Sequence, residues 1–146
     1  MGRSHALAYH RDPAFELVGL VNRSAPTLDP ALAGYEVTPD FQEGVARLKP
    51  DLVCVSTYSD SHADYAIAAM EAGAHVFVEK PLATTVADAR RVAECAARTG
   101  KKVVVGYILR HHPSWMRLIA EARSLGGPYV FRLNLNQQSS GPTWDV

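Results

Sequence analysis

Three short apolar, β-branched runs constrain this chain more than anything else in it: Leu52–Ser56, His75–Val78 and Val103–Val105. Helix-period segments separate them. Such runs, joined by helices, predict a parallel sheet buried on both faces. Ligands of such sheets sit just beyond the C-terminal strand ends. Polar residues stand at those ends: Thr57, Ser59 and Asp60 after the first run, Glu79 and Lys80 after the second, Arg110 after the third. That placement is the main functional signal.

The 146 residues allow one domain with a real core, or one domain and part of another. Lys+Arg and Asp+Glu are both 15, so the formal net charge is zero, and no footprint for nucleic acid or an anionic membrane is expected. No apolar run is long enough to span a bilayer, and no signal peptide opens the sequence. Cys54 falls in a strand and Cys95 in a helix, which is neither a secreted disulfide framework nor a metal-ligand spacing. A reducing, cytoplasmic setting is expected.

Gly2 leads at once into a helical pattern through His10, and Asp12-Pro13 is a turn. A doubly wound domain should begin with a strand and a Gly-rich turn, and no strand stands before this helix. A strand is expected over Phe15–Val21, a short helix within Ala25–Gly34, and a short strand over Tyr35–Val37. Asp40 caps a helix over Phe41–Leu48, and Asp60 or Ser61 caps one running to Ala72 with Gly73 as its stop. Thr84 or Thr85 caps a helix through Thr99, with Gly100 after it, and the third strand extends over Lys102–Tyr107. Pro113 opens an amphipathic helix through Leu125, broken by Gly126-Gly127-Pro128. Tyr129–Asn136 then alternates, as in a strand with one wet face. The change of pattern places a domain boundary near Gly127, giving residues 1–126 and 127–146.

The run Thr57-Tyr58-Ser59-Asp60-Ser61-His62, then Glu71-Ala72-Gly73-Ala74-His75-Val76, then Glu79-Lys80-Pro81, resembles the Gfo/Idh/MocA oxidoreductases, which are related to glucose–fructose oxidoreductase and inositol dehydrogenase. Gly106-Tyr107-Ile108-Leu109-Arg110-His111-His112-Pro113 is similar to a later motif of that family. The resemblance implies a Rossmann-like, doubly wound α/β domain binding a nicotinamide dinucleotide. A C-terminal α/β domain would follow, binding a small sugar- or polyol-like substrate and forming homo-oligomers; Tyr129–Asn136 would be its first strand. The family opens with a strand and G-x-G-x-x-G, of which Gly2 resembles only the third glycine. The missing strand would lie centrally in the sheet. A start codon assigned too far downstream, or a shortened chain, is the expected explanation. The family's catalytic Asp and His would lie beyond Val146, so this stretch alone is not expected to complete a catalytic cycle. Tyr58 stands where the family usually has Pro.

Carried onto this sequence, the resemblance puts Met1 and Gly2 at the dinucleotide pyrophosphate, where a helix N-terminus offers free N–H groups. Asn22, Arg23 and Ser24 end the second family strand. An NAD enzyme usually has a carboxylate there for the ribose hydroxyls. None is present, and Arg23 can pair with a 2′-phosphate, so NADP is favoured over NAD. Ser56, Thr57 and Tyr58 would contact the dinucleotide after the first run. His62, in the first turn of a helix, is read first as holding that loop by a hydrogen bond and second as a cofactor contact. Glu79 would sit near the nicotinamide ribose, and Lys80 would be the catalytic residue, donating to a substrate oxygen. Arg110 would point toward nicotinamide or substrate. His111-His112 is not read as a metal pair, since adjacent residues rarely face one site. The function implied is hydride transfer between nicotinamide and a CH–OH or carbonyl carbon. The alternatives are a dinucleotide-binding module without turnover, or an inactive fragment of such an enzyme.

Overall fold

The computed structural model describes residues 1–132 and Asn134. It divides into two compact units, Met1–Gly106 and a second from Tyr107 on. The first is an α/β unit. Helix α1 (Gly2–Arg11) precedes strand β1 (Leu20–Val21), and a single 3-10 turn at Pro30–Leu32 leads to β2 (Val37–Thr38). Helix α2 (Phe41–Leu48), β3 (Leu52–Val55), α3 (His62–Glu71), β4 (His75–Val78), α4 (Val86–Thr99) and β5 (Val103–Val105) follow.

Local chemistry sets the helix ends. The Asp40 carboxylate accepts from the Glu43 N–H at 2.8 Å, and the Thr85 hydroxyl accepts from the Asp88 N–H at 3.0 Å, each satisfying an otherwise unpartnered first-turn donor. Gly73 (φ 97°) and Gly100 (φ 68°) take the left-handed conformation that ends α3 and α4. The expected caps at Asp60 and Ser61 do not form. A 3-10 turn at Ser59–Ser61 enters α3 instead, and the Ser61 hydroxyl donates to the Tyr58 carbonyl at 2.8 Å.

All strand pairs are parallel. β4 lies between β3 and β5, with Val76 opposite both Val53 and Val103. β1 pairs only with β2, in a separate two-stranded sheet. The parallel α/β class holds, but the sheet is in two pieces. One ladder edge of β1 and one of β3 have no partner among the described residues. This also shortens the expected strands. Phe15–Gly19 is not strand, and the second short strand shifts to Val37–Thr38, because a strand extends only as far as a neighbour accepts its hydrogen bonds. Lys102, Gly106 and Tyr107 likewise fall outside β5.

The core lies between β3–β5 and the α3–α4 layer. Val55, Val76, Val78, Ala66, Ala69, Met70, Val92 and Cys95 are buried there. Alanines on α3 bring its backbone close to the sheet, and each buried valine contributes about 2 kcal/mol. α1 is tied to the Asp29–Tyr35 segment by the Arg3–Asp29 ion pair (2.8 Å) and by His10 Nδ1 with the Tyr35 hydroxyl (2.9 Å).

In the second unit, a 3-10 turn at Ile108–His111 leads into α5 (Pro113–Leu125), where His112 Nδ1 accepts from the Ser114 N–H. The Tyr129 hydroxyl donates to the Ala122 carbonyl. Tyr129–Arg132 and Asn134 are not strand, since no described segment pairs with them; Leu133, Leu135 and Asn136 lie outside the described residues.

Candidate functional site

Glu79 and Lys80 are the two residues that follow β4, and they diverge. Glu79 is buried and Lys80 is exposed. Among the described residues the Lys80 ammonium joins no ion pair. The Lys80–Pro81 peptide is cis. Both Glu79 oxygens are engaged within the protein: Oε1 stands 2.6 Å from His5 Nε2, and Oε2 accepts from the Lys80 N–H at 3.1 Å. Burial pushes the Glu79 carboxyl up, but the His5 bond, the Lys80 N–H and the charges of His5 and Lys80 outweigh it and hold it below the usual carboxylate range. Gly106 makes room for this carboxylate. A Cβ there would come within 3.3 Å of the Phe77 ring and 3.4 Å of Glu79 Oε2.

The start of α1 packs against the end of β3. A Cβ on Gly2 would lie 2.9 Å from Ser56 Oγ, so only glycine fits without a shift. The Met1 carbonyl accepts from Ser4 and His5 N–H groups, whereas those of Gly2 and Arg3 have no backbone partner among the described residues. No acidic residue stands in this first turn. A side-chain-free approach with unused N–H groups and no opposing acid fits a pyrophosphate.

Past β1, Asn22, Arg23 and Ser24 line an open pocket of about 380 Å³ together with Ala25, Pro26, Val37 and Pro39. Asn22 Nδ2 donates to the Ser24 carbonyl at 2.6 Å, shaping the turn. Arg23 is exposed. At the end of β3, Thr57 and Tyr58 are exposed, and Thr57 Oγ1 lies 2.8 Å from Ser61 Oγ.

His62 is almost wholly buried, with Nδ1 2.6 Å from the Pro81 carbonyl and Nε2 3.1 Å from the Thr57 carbonyl. Both ring nitrogens face acceptors, and a neutral ring donates to one of them. This geometry ties the loop after β3 to the turn after β4. Arg110 belongs to the second unit, where its guanidinium stands over the Tyr107 ring at 5.5 Å.

Nearby, burial raises the Tyr9 phenol to about 12 and the Cys54 thiol to about 11, so neither ionises at neutral pH and Cys54 is no nucleophile. Among the described residues no cluster of three or more His, Cys, Asp or Glu could hold a metal, and no helix is long and apolar enough to cross a membrane. The residue that sequence reasoning left without a role is His5, whose partner lies 74 positions away. The one local sign of it was a histidine in the turn following Gly2.

Parallel strands covered by helices, with a glycine-opened helix set against a strand end, define a dinucleotide-binding α/β domain. The chain belongs to the Gfo/Idh/MocA family: its model, described as "Oxidoreductase family, NAD-binding Rossmann fold", matches residues 1–107. The inositol 2-dehydrogenase of Salmonella typhimurium is 33% identical over 94 residues, covering 62% of this chain and 28% of that protein. The 4-carboxy-2-hydroxymuconate-6-semialdehyde dehydrogenase of a Sphingobium species is 35% identical over 116 residues, covering 77% of this chain and 37% of that protein. The chain thus spans 28% and 37% of the length of these two curated relatives. Among solved structures, GenD2 from gentamicin A biosynthesis, in complex with NAD, is similar with a TM-score of 0.77 at 29% identity, covering 84% of this chain and 36% of that one.

Proposed function

We propose that this chain is the dinucleotide-binding part of an NAD(P)-dependent oxidoreductase. The enzyme moves a hydride between nicotinamide and a CH–OH or carbonyl carbon of a sugar, cyclitol or similar polyol. The observation that carries the proposal is Lys80, exposed and without an ion-pair partner among the described residues, at the C-terminal end of β4 beside the buried Glu79. The family and the inositol 2-dehydrogenase relatives support the substrate class. When bound, the dinucleotide supplies the hydride acceptor or donor. This chain's residues bind the dinucleotide and contribute Lys80 to the reacting end. Gly2 and the first turn of α1 receive the pyrophosphate, and Ser56, Thr57 and Tyr58 border it. The Lys80 ammonium donates to the substrate oxygen and stabilises negative charge there as the carbon changes oxidation state.

At the adenosine end, Asn22, Arg23 and Ser24 bring no carboxylate to repel a 2′-phosphate, and the exposed Arg23 can pair with one, which favours NADP over NAD. The free thiols Cys54 and Cys95 suit a reducing cytoplasm. A substrate domain beginning near Gly127 and a homo-oligomer complete the proposal.

The test is a polyol and sugar panel with both cofactors on the full-length protein and its Lys80→Ala variant. Turnover should fall on the order of 10³-fold with nucleotide binding kept. Unchanged turnover would remove Lys80 from the chemistry. Nucleotide binding without turnover on any substrate would mark a binding module, and a clear preference for NAD would remove the role given to Arg23.

A further inference from the structure

We propose that His5 is a positioning residue for Lys80, acting through Glu79; this rests on the reading of Lys80 given above. A carboxylate only accepts, so the His5 Nε2 that faces Glu79 Oε1 at 2.6 Å carries the hydrogen and donates it. The second oxygen, Oε2, takes the Lys80 backbone N–H. One carboxylate therefore joins the ring on α1 to the backbone just past β4.

The carboxylate has little freedom to turn. It is buried, and Gly106 backs it so closely that even a methyl group there would touch Oε2. The His5 ring is itself held, with its centroid 5.1 Å from that of Phe77 on β4 and 6.4 Å from that of Tyr9 on α1. The titratable groups around this pair are Lys80, Tyr9 and Cys54. The phenol and the thiol stay neutral, and the Lys80 charge helps hold the Glu79 carboxyl down.

His5 lies one turn after Gly2, which abuts Ser56 at the end of β3. The bond to Glu79 thus couples the helix start that would receive the pyrophosphate to the strand end that presents Lys80. A shift of either end is passed to the other through a short, part-buried, charge-assisted contact.

The experiment compares His5→Phe and His5→Gln in the full-length protein, with Lys80→Ala alongside. Phenylalanine keeps a ring against Phe77 but leaves Glu79 Oε1 without a donor. Glutamine restores an amide N–H near the same place. We expect kcat to fall on the order of 10- to 100-fold in His5→Phe, with nucleotide affinity changed less than about threefold, and His5→Gln to recover to within roughly fivefold of wild type. The Lys80 amide resonance should move in His5→Phe and return in His5→Gln, and thermal unfolding checks that both variants fold. Equal kcat in the two variants, or an unmoved amide resonance, would show that His5 only fills space and would overturn the inference. Should His5→Phe misfold, His5→Gln with Glu79→Gln decides. Here His5→Gln retaining turnover and Glu79→Gln losing it supports the coupling, and the reverse overturns it. If Lys80→Ala keeps full turnover, the reading of Lys80 fails and the His5 role goes with it. If Lys80→Ala is inactive while His5→Phe is unchanged, only the His5 role is lost.

Discussion

Valine recurs in both sheets, β3–β5 and β1–β2, yet only the first carries the main core. Val76, in the middle of β4, has a strand on each side and is 1% exposed; Val21, at the end of β1, has one partner strand and is 42% exposed. α3 and α4 bury the first sheet, while α2 packs on the second. The difference teaches that neighbours, rather than the residues of a strand, decide how long it runs and how much it stabilises. It also divides the proposed labour. The well-packed sheet presents Lys80, and the slight one borders the pocket that would select the nucleotide.

The largest expected effect tests this contrast directly. Val76→Ala should cost about 2 kcal/mol in urea unfolding, from two lost methyl equivalents and a partly unfilled space, whereas Val21→Ala should cost less than about 0.5 kcal/mol. Equal losses would erase the distinction between the sheets. A smaller effect sharpens it at the strand end. The Glu79 carboxyl is held below its unfolded value, so its contribution is fully present above the ordinary carboxylate range and is lost as pH falls through the folded value. Urea titrations across that acidic window should show a shallower loss of stability in Glu79→Gln than in wild type; parallel curves would show that the carboxylate is not preferentially ionised in the folded state. The smallest effect concerns the outer helix layer. Arg98→Ala removes an exposed pair with Glu71, and its unfolding midpoint should stay close to wild type and converge further in high salt.

Helix boundaries were legible because their signals are local. Asp40 and Thr85 cap their own first turns, and Gly73 and Gly100 end their own helices. The strands Leu52–Val55 and His75–Val78 were legible as continuous apolar runs between helices, but the expected burial of both faces is not met: Val76 and Val78 are buried against α3 and α4, while Val104 on β5 is 56% exposed. Phe15–Gly19 reads equally well as strand, but its ladder depends on a neighbour that no residue in that stretch can reveal. Within the candidate site, Glu79 and Lys80 stood out at a strand end, and the motif around them carried the family. His62 showed itself through its place at a helix start, and its ring links the Thr57 and Pro81 carbonyls. His5 did not show itself, since nothing near it in sequence marks a carboxylate 74 residues away.

Among the described residues one rim of β1 and one of β3 carry no partner strand, which makes each strand one half of a zipper. Main-chain donors and acceptors along Leu52–Val55 recur at a spacing that any extended peptide can match, whatever its side chains. A segment laid along that edge would be held by its backbone and not selected by its side chains.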